Sequence, residues 1–471
     1  MFNNLLLQNY ITRGFWGDEA WTAVISRLSI PEIIQVTGQD FHPPLYYLIV
    51  HVFMQVFGES EWIRIISTIF FLLTLIPVYV FAKKIVNKTV AWVSTLLVAF
   101  SPILFIYAFE ARSYAFLTFI SVLSTLCFWQ AVSLAKNRKK STKQTIKFWF
   151  IYAILGGFGV YTHYYMWFIL ASHGVYWLLA DRRQFKQVFL TYLFIFLAQL
   201  PWIPTLFSQV KTVVGDYWIG GMNMRTHAEY FMRIAAGDIV TPWQTLLARA
   251  MFVALLASPI LVWLKNKHQL PRAYLFLWSW LIVPVLIPTL LSFITPVFFY
   301  RYLVFTSVPI IFIIAWGLGT VKKELLYVLG AVLLVFYVRT DYRIFARFPR
   351  SMREEVGAAF ETRSALSGIQ PAPSGTQPAP SGTQSAPSGT QPAPSEEIPV
   401  FTYLPSFAEV YFYTGQRAPV KVVPIGLVQF SGRSLLDKYV EKGLVEIIEP
   451  SKGQAYWEFD QGPTSKFHPG E

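Results

Sequence analysis

Between Trp62 and Ala82 the chain reads WIRIISTIFFLLTLIPVYVFA, with Arg64 its one charged residue, and Lys83-Lys84 follow at once. A helix needs about 20 mostly apolar residues to cross a bilayer core, and basic residues gather at the cytoplasmic ends of such helices. Working outward from this segment, the same pattern recurs. Spans are expected over 62–82, 90–109, 113–135, 148–163, 164–180, 188–207, 248–264, 273–296, 302–320 and 325–340. Over its 471 residues the chain is 54% hydrophobic and 14% charged, against about 25% charged in a soluble domain. A soluble protein is excluded, and an all-α polytopic membrane protein with about 10 spans is expected.

The net charge of +13 follows from topology and calls for no nucleic-acid partner. Basic residues cluster in alternate loops: Lys83, Lys84 and Lys88; Lys136 to Lys147; Arg182, Arg183 and Lys186; Lys265, Lys267 and Arg272; Lys322 and Lys323. These loops are expected to be cytoplasmic. The other loops carry few positives, among them Arg112, Lys211, Arg225, Arg233 and Arg301. Pro43–Phe57 is apolar as well, but counting it as a span would place every later basic cluster outside. Short, aromatic-rich and opened by two prolines, it is expected to lie on the outer surface as an interfacial helix. Met1–Glu61 then sits outside with no helix before it. Either a short N-terminus is exported, or a first span is missing through a late-called start codon. Met1–Phe15 shows no cleavable signal peptide, and the single cysteine, Cys127, supports no disulfide framework.

Past the spans the organisation changes. The expected division is 1–61 as an outer region, 62–340 as the transmembrane region, 341–368 as a polar segment helical around 352–364, and 369–396 as a linker. PAPSGTQ-PAPSGTQ-SAPSGTQ-PAPS, from Pro371 to Ser395, is too rich in Pro, Gly and Ser to bury a core and reads as a flexible spacer. Residues 397–471 read as a small α/β extracytoplasmic domain, with strands at Pro399–Tyr403, Val420–Pro424 and Val445–Ile448 and helices at Ser406–Tyr413 and Ser434–Glu441. A domain of about 75 residues is marginal alone, so it is expected to dock on the membrane part or on 340–365.

Candidate chemistry lies at the outer ends of the spans, where polar groups are otherwise rare. Asp18-Glu19, His42 before two prolines, Glu110-Ala111-Arg112-Ser113-Tyr114, Thr162-His163-Tyr164-Tyr165 and Tyr300-Arg301-Tyr302 all fall on that side. Each has a plainer reading. Asp18 and Glu19 suit a helix first turn, Glu110 suits a headgroup pair with Arg112, and Arg301 suits snorkelling to lipid phosphate. His163 and its tyrosines suit an aromatic belt. His51 and His173, on apolar faces, read as structural. Together the five clusters read as an anionic-substrate site with a base.

The order FWGDEAWT, HPPLYYLIVH, SEWIR, SPILFIYAFEARSYA, YTHYY and RYLVF resembles the GT-C glycosyltransferases, and among them bacterial relatives of dolichyl-phosphate-mannose protein mannosyltransferases. The resemblance covers roughly residues 15–340 and is strongest over the first 170. It implies a first helix ahead of the acidic turn, which this sequence lacks. It also implies a sugar donor on a polyprenyl phosphate, transfer at the outer face of the plasma (inner) membrane, and Asp18, with Glu19 beside it, as the catalytic base. Glu110, Arg112 and Tyr114 line the same cavity in this comparison, and His42, His163, Tyr164, Arg301 and Tyr302 complete the candidate substrate contacts. Arg112 and Arg301 suit the developing charge on a phosphate leaving group. A divalent cation, Mg²⁺ or Mn²⁺, is a further candidate there, with Asp18 and Glu110 as its ligands. The partners expected are the polyprenyl-phosphate-linked sugar, membrane lipids and a hydroxyl acceptor of unknown identity. The rival class is a transporter or flippase of lipid-linked glycans. Span centres almost free of charge and the absence of repeated halves speak against it.

Overall fold

The computed structural model describes residues 10–135, 142–180, 182, 184–215, 219–238, 241–346, 351–367, 398–415, 418–424, 433–451, 454–459 and 465–468. The expected linker at 369–396 lies outside the described residues. The chain divides into two compact units, one of Met1–Arg13 and Ile25–Phe348, the other of Gly14–Val24 and Pro349–Glu471.

The first unit is the helical membrane part. Eight of its described helices are long and apolar enough to cross a bilayer: Glu61–Ile85, Tyr114–Ala135, Lys143–Thr162, Phe185–Val214, Pro242–Lys265, Arg272–Leu291, Tyr300–Val321 and Lys323–Ile344. Four expected spans differ from the expectation. The one at 90–109 is a bent pair, Lys88–Ala99 and Pro102–Ala108, at 57° to each other. Proline pushes the residue before it out of the helical region, and Ser101 is extended with ψ 117°. Met166–Ala180 has 15 residues, roughly 22 Å of helix, short of a core about 30 Å thick. The span expected to run to 296 stops at Leu291, and the last one continues past 340. Leu45–Phe57, at 13 residues, is too short to cross, in keeping with its expected interfacial place.

Residues 10–61 are more regular than an outer loop, since Gly17–Ile25, Ile30–Gln39 and Leu45–Phe57 are all helices. Arg64, fully buried, donates from one guanidinium nitrogen to the carbonyls of Ile11 and Arg13 and so ties the chain before the acidic turn to the first span. The two histidines read as structural are held accordingly. His173 has both ring nitrogens 3.0 Å from hydroxyls, those of Thr125 and Tyr152, and His51 Nδ1 lies 2.9 Å from the Ser26 carbonyl.

The second unit carries a five-stranded sheet in the order β3-β2-β1-β4-β5, with β1 Val400–Thr402, β2 Val420–Val422, β3 Glu446–Ile447, β4 Tyr456–Phe459 and β5 Ser465–His468. β1 to β4 pair in parallel and β5 runs antiparallel to β4. The three expected strands and both helices are present, at Phe407–Thr414 and Arg433–Glu441, while β4 and β5 were not foreseen. Met352–Ser367 is helical, and its Met352, Val356 and Ala359 pack on Val400, Val410, Trp457 and Phe459. The small sheet thus shares its core with the expected polar helix. Gly14–Val24 belongs to the same unit: the Tyr413 hydroxyl accepts from the Phe15 N–H, and the Tyr439 hydroxyl donates to the Val24 carbonyl at 3.1 Å.

Close helix packing in the membrane part depends on small residues. Ser258 accepts from the Tyr274 hydroxyl at 2.8 Å and donates to the Ile313 carbonyl, and a Cβ at position 317 would lie 2.9 Å from the Ser258 Cα. Gly317→Ala is therefore expected to cost about 1–3 kcal/mol through overpacking. The check is thermal unfolding in detergent: a melting temperature several degrees lower supports this packing, and an unchanged one contradicts it.

Candidate functional site

Three polar ends of helices meet at one end of the membrane bundle: the start of Tyr114–Ala135, the end of Thr142–Thr162 and the turn before Ser307–Val321. They bring His163 beside Tyr302, Tyr165 and Tyr114, with ring centroids 4.9, 5.3 and 6.2 Å away. His42, placed by the prolines that open Leu45–Phe57, comes within 6.3 Å of the His163 ring. Arg112, only 7% exposed, lies 3.5 Å from His42 Nε2 through one terminal nitrogen and 3.5 Å from the Tyr47 hydroxyl through the other. Glu110 is buried in the same turn.

Burial in this apolar setting disfavours the charged form of both imidazoles, and the Arg112 guanidinium adds to it. The His163 pKa is pushed down to about 3, and that of His42 falls well below the usual histidine range, with His163 as a further cause. Both rings are neutral donors and acceptors at physiological pH.

His42, His163, Tyr164 and Tyr302 line a cavity of about 410 Å³. The rest of its wall is mostly apolar, with Phe168, Leu206, Val213 and Val297 among the residues. It opens between exposed apolar side chains: Val214 is 62% and Ile294 86% exposed. Val214 also ends the long apolar helix Phe185–Val214, so the mouth is bordered by exposed apolar surface. Tyr164 is committed to structure as well as to the wall. Its hydroxyl donates to Gln209 and accepts from Trp202 Nε1 at 2.8 Å, and burial pushes its pKa up to about 12.

Arg301 sits close by rather than in the wall. Its Nε donates to the Tyr300 hydroxyl at 3.3 Å, and its guanidinium lies 5.6 Å from the Phe299 ring and within the electrostatic reach of Tyr107, Tyr114 and Glu110. The Tyr300 ring also carries Arg233 at 4.6 Å, which pairs with Asp238 at 2.8 Å. The Arg301 and Arg112 groups thus border the same polar end. Asp18 and Glu19 fall in the second unit. They occupy the first turn of Gly17–Ile25, Glu19 is fully buried, and Thr22 Oγ donates to the Asp18 carbonyl at 3.0 Å. Beside them, burial and then the Asp18 and Glu19 carboxylates push the Glu409 carboxyl up to about 7, while the Gly17 N–H pulls it down.

Tyr165 and Tyr300 lie in clusters that the sequence singles out, and Tyr165 donates to the Val297 carbonyl at 2.6 Å. The sequence reading missed Gln209, Arg233 and Glu409. Gln209, next to Ser208 and close to Lys211 and Thr212 in the sequence, donates to the Thr37 carbonyl at 2.8 Å, and nothing local announces that. Among the described residues no three His, Cys, Asp or Glu side chains gather as a metal cluster. Asp18 belongs to the second unit and Glu110 to the first.

The whole chain can be compared with known proteins on this geometry. Over 97% of this chain and 91% of the other, the fold matches ArnT from Cupriavidus metallidurans bound to undecaprenyl phosphate, with TM-score 0.62 and 12% identity. This is the GT-C fold. The apo form of that ArnT matches over 98% of this chain and 91% of its own, with TM-score 0.59 and 14% identity. The Archaeoglobus fulgidus oligosaccharyltransferase tethered to an acceptor peptide matches over 88% of this chain and 63% of its own, with TM-score 0.50 and 13% identity. Within the GT-C fold, residues 41–207 match the family described as dolichyl-phosphate-mannose-protein mannosyltransferase. By sequence, no curated protein matches the chain. The matched segment contains His42, Glu110, Arg112, Tyr114, His163 and Tyr164, that is, most of the polar end of the cavity.

The neutrality of His163 has a stability signature. An unfolded histidine takes up a proton near pH 6.5, whereas folded His163 stays neutral down to about 3. The unfolded chain binds more protons between those values, so stability is full above 6.5 and falls as pH drops towards 3. At pH 4.5 the loss from this one group is about 3 kcal/mol. Melting curves at pH 7.5 and 4.5 should show a smaller acid loss for His163→Gln than for wild type. Equal losses would contradict a buried neutral His163.

Proposed function

We propose that this chain is a membrane glycosyltransferase that moves a sugar from a polyprenyl-phosphate donor to a hydroxyl acceptor at the outer face of the plasma membrane. The observation that carries the reading is the cavity: an apolar pocket that opens between exposed apolar side chains and has His42, His163 and Tyr302 in its wall, with Arg112 beside His42. Such a lining suits an amphiphile with a long hydrocarbon tail and a polar head, and a water-soluble donor would have no use for the apolar mouth. The undecaprenyl phosphate in the matching ArnT structure supports the same class of lipid. The basic residues at the opposite ends of the spans support an outward-facing site.

In this reading the acceptor hydroxyl attacks the anomeric carbon, its proton passes to the Asp18 carboxylate, and the bond from the anomeric carbon to the phosphate oxygen breaks. Polyprenyl phosphate leaves with the electron pair. Arg112 and Arg301 stabilise the charge that develops on it. Direct displacement inverts the anomeric centre. Glu19 shares the acidic turn and is the alternative base.

The test is turnover by full-length protein in detergent with a panel of radiolabelled polyprenyl-phosphate sugars, wild type beside Asp18→Asn, with and without EDTA. Wild type is expected to release or transfer sugar, and Asp18→Asn to be slower by at least 100-fold, the scale of a lost general base. Equal turnover in the variant would move the base to Glu19 or Glu110. Loss with EDTA would bring a cation into the mechanism. Passage of intact lipid-linked sugar across vesicles without any transfer would put the flippase reading in its place.

A further inference from the structure

A second, much smaller pocket lies between two other spans, where Pro242–Lys265 begins and Lys323–Ile344 nears its end. Thr241, Trp243, Gln244, Phe336, Arg339 and Arg343 line it. Just inward of it the Tyr337 hydroxyl donates to the Met251 sulfur at 3.5 Å and joins the two helices. Arg343 is half-buried and Arg339 exposed, and among the described residues neither guanidinium has a hydrogen-bond or ion-pair partner. The carboxylate nearest in sequence, Asp341, is buried and stands two residues from each, roughly 200° round the helix. Residues four apart on a helix lie one above the other, and like charges so placed repel. This end of the bundle is also the one opposite the basic loops, where topology asks for no positive charge.

An anion between the two guanidiniums removes that repulsion. Planar N–H forks one turn apart suit the oxygens of a phosphate, and the positive end of the Pro242–Lys265 dipole faces the same pocket. Trp243, 58% exposed, brings an indole N–H to the level where tryptophans meet head groups. The pocket volume is about 20 Å³, room for one water-sized group. A phosphate oxygen enters it, and the rest of the ligand lies outside. There the surface is apolar: Val332, one turn inward of Phe336, is 50% exposed, and Leu246 on the facing span is 57% exposed. A soluble anion has no use for that surface, whereas acyl chains do. With two cations and no carboxylate in the wall, the pocket also disfavours a head group that carries its own ammonium.

We propose that this pocket binds the phosphodiester of an anionic outer-leaflet phospholipid, with Arg339 and Arg343 on the phosphate, Trp243 at its edge and the acyl chains along Val332 and Leu246. It shares no wall residue with the cavity of His42 and His163, and it does not depend on the donor reading above. The lipid is a resident of the fold, not a substrate.

Native mass spectrometry of full-length protein, released from micelles holding equal amounts of phosphatidylglycerol and phosphatidylcholine, tests the proposal. Arg339→Gln, Arg343→Gln and the double variant stand beside wild type. Wild type should retain phosphatidylglycerol at least fivefold over phosphatidylcholine, the scale of a basic pocket between spans. The double variant should lose that preference and each single variant at least half of it. A charge-matched control, Lys211→Gln with Arg225→Gln, should keep it. Melting temperature is the second readout: phosphatidylglycerol should raise it by several degrees in wild type and in the control, and leave the double variant unmoved. Equal retention of both lipids by wild type, or a preference that survives in the double variant, would overturn the site. An equal loss in the control pair would reduce the effect to general charge attraction and overturn it as well. A shift from inorganic phosphate as large as the lipid's, with the same arginine dependence, would make a free anion the ligand and overturn the lipid assignment. Arginine-dependent retention of undecaprenyl phosphate in preference to phosphatidylglycerol would give the pocket to a polyprenyl lipid and overturn the phospholipid.

Discussion

A guanidinium buried at the end of a membrane bundle must be surrounded by dipoles, because an uncompensated charge there costs several kcal/mol. Arg112 meets that requirement with Tyr47 and His42 in front, while its own carbonyl accepts from Ser67 Oγ at 3.2 Å. These contacts join the turn at 110–113 to the Leu45–Phe57 helix and to the first long span. They set the place of His42 and the tautomer of its ring, and the same positive charge helps to keep His163 neutral. The polar end of the cavity is in this sense organised around one cation that does not itself line it.

The rest of the cavity follows from the solvent the chain lives in. Spans that face hydrocarbon carry apolar residues, and where Phe185–Val214 and Arg272–Leu291 flank an opening, that opening is apolar too. A ligand entering there can leave its tail in lipid-like surroundings with its head towards the end that His42, His163 and Tyr302 line. The second unit adds a separate constraint. The acidic turn is fastened to Tyr413, Tyr439 and Glu409, so the conformation of Asp18 depends on the small α/β domain at the other end of the chain.

Much of this was legible in the sequence, for identifiable reasons. A span must supply about 20 apolar residues, and basic loops mark one side, so the helices and the grouping of His42, Arg112, His163 and Tyr302 at one end follow from linear pattern. The break at Ser101-Pro102 hid inside an unbroken apolar run, although the residue before a proline announces it. β4 and β5 escaped because Tyr456–Phe459 and Ser465–His468 are short and carry charges on one face, Glu458 and Lys466, so no apolar alternation stands out. Gln209 and Glu409 escaped for a different reason. Gln209 meets Thr37, and Glu409 meets the acidic turn, through contacts between residues far apart in the chain, which leave no local signature.

The central claim is that the cavity between the spans receives a polyprenyl phosphate. Photo-crosslinking with a polyprenyl phosphate that bears a diazirine in its first isoprene units, followed by peptide mapping, tests it most directly. The account predicts label in the wall residues, within 206–214 and 291–297, displaced by unlabelled polyprenyl phosphate but not by polyprenol. Label confined to the outer surfaces of Lys323–Ile344 or Pro242–Lys265, or label indifferent to the competitor, would contradict it.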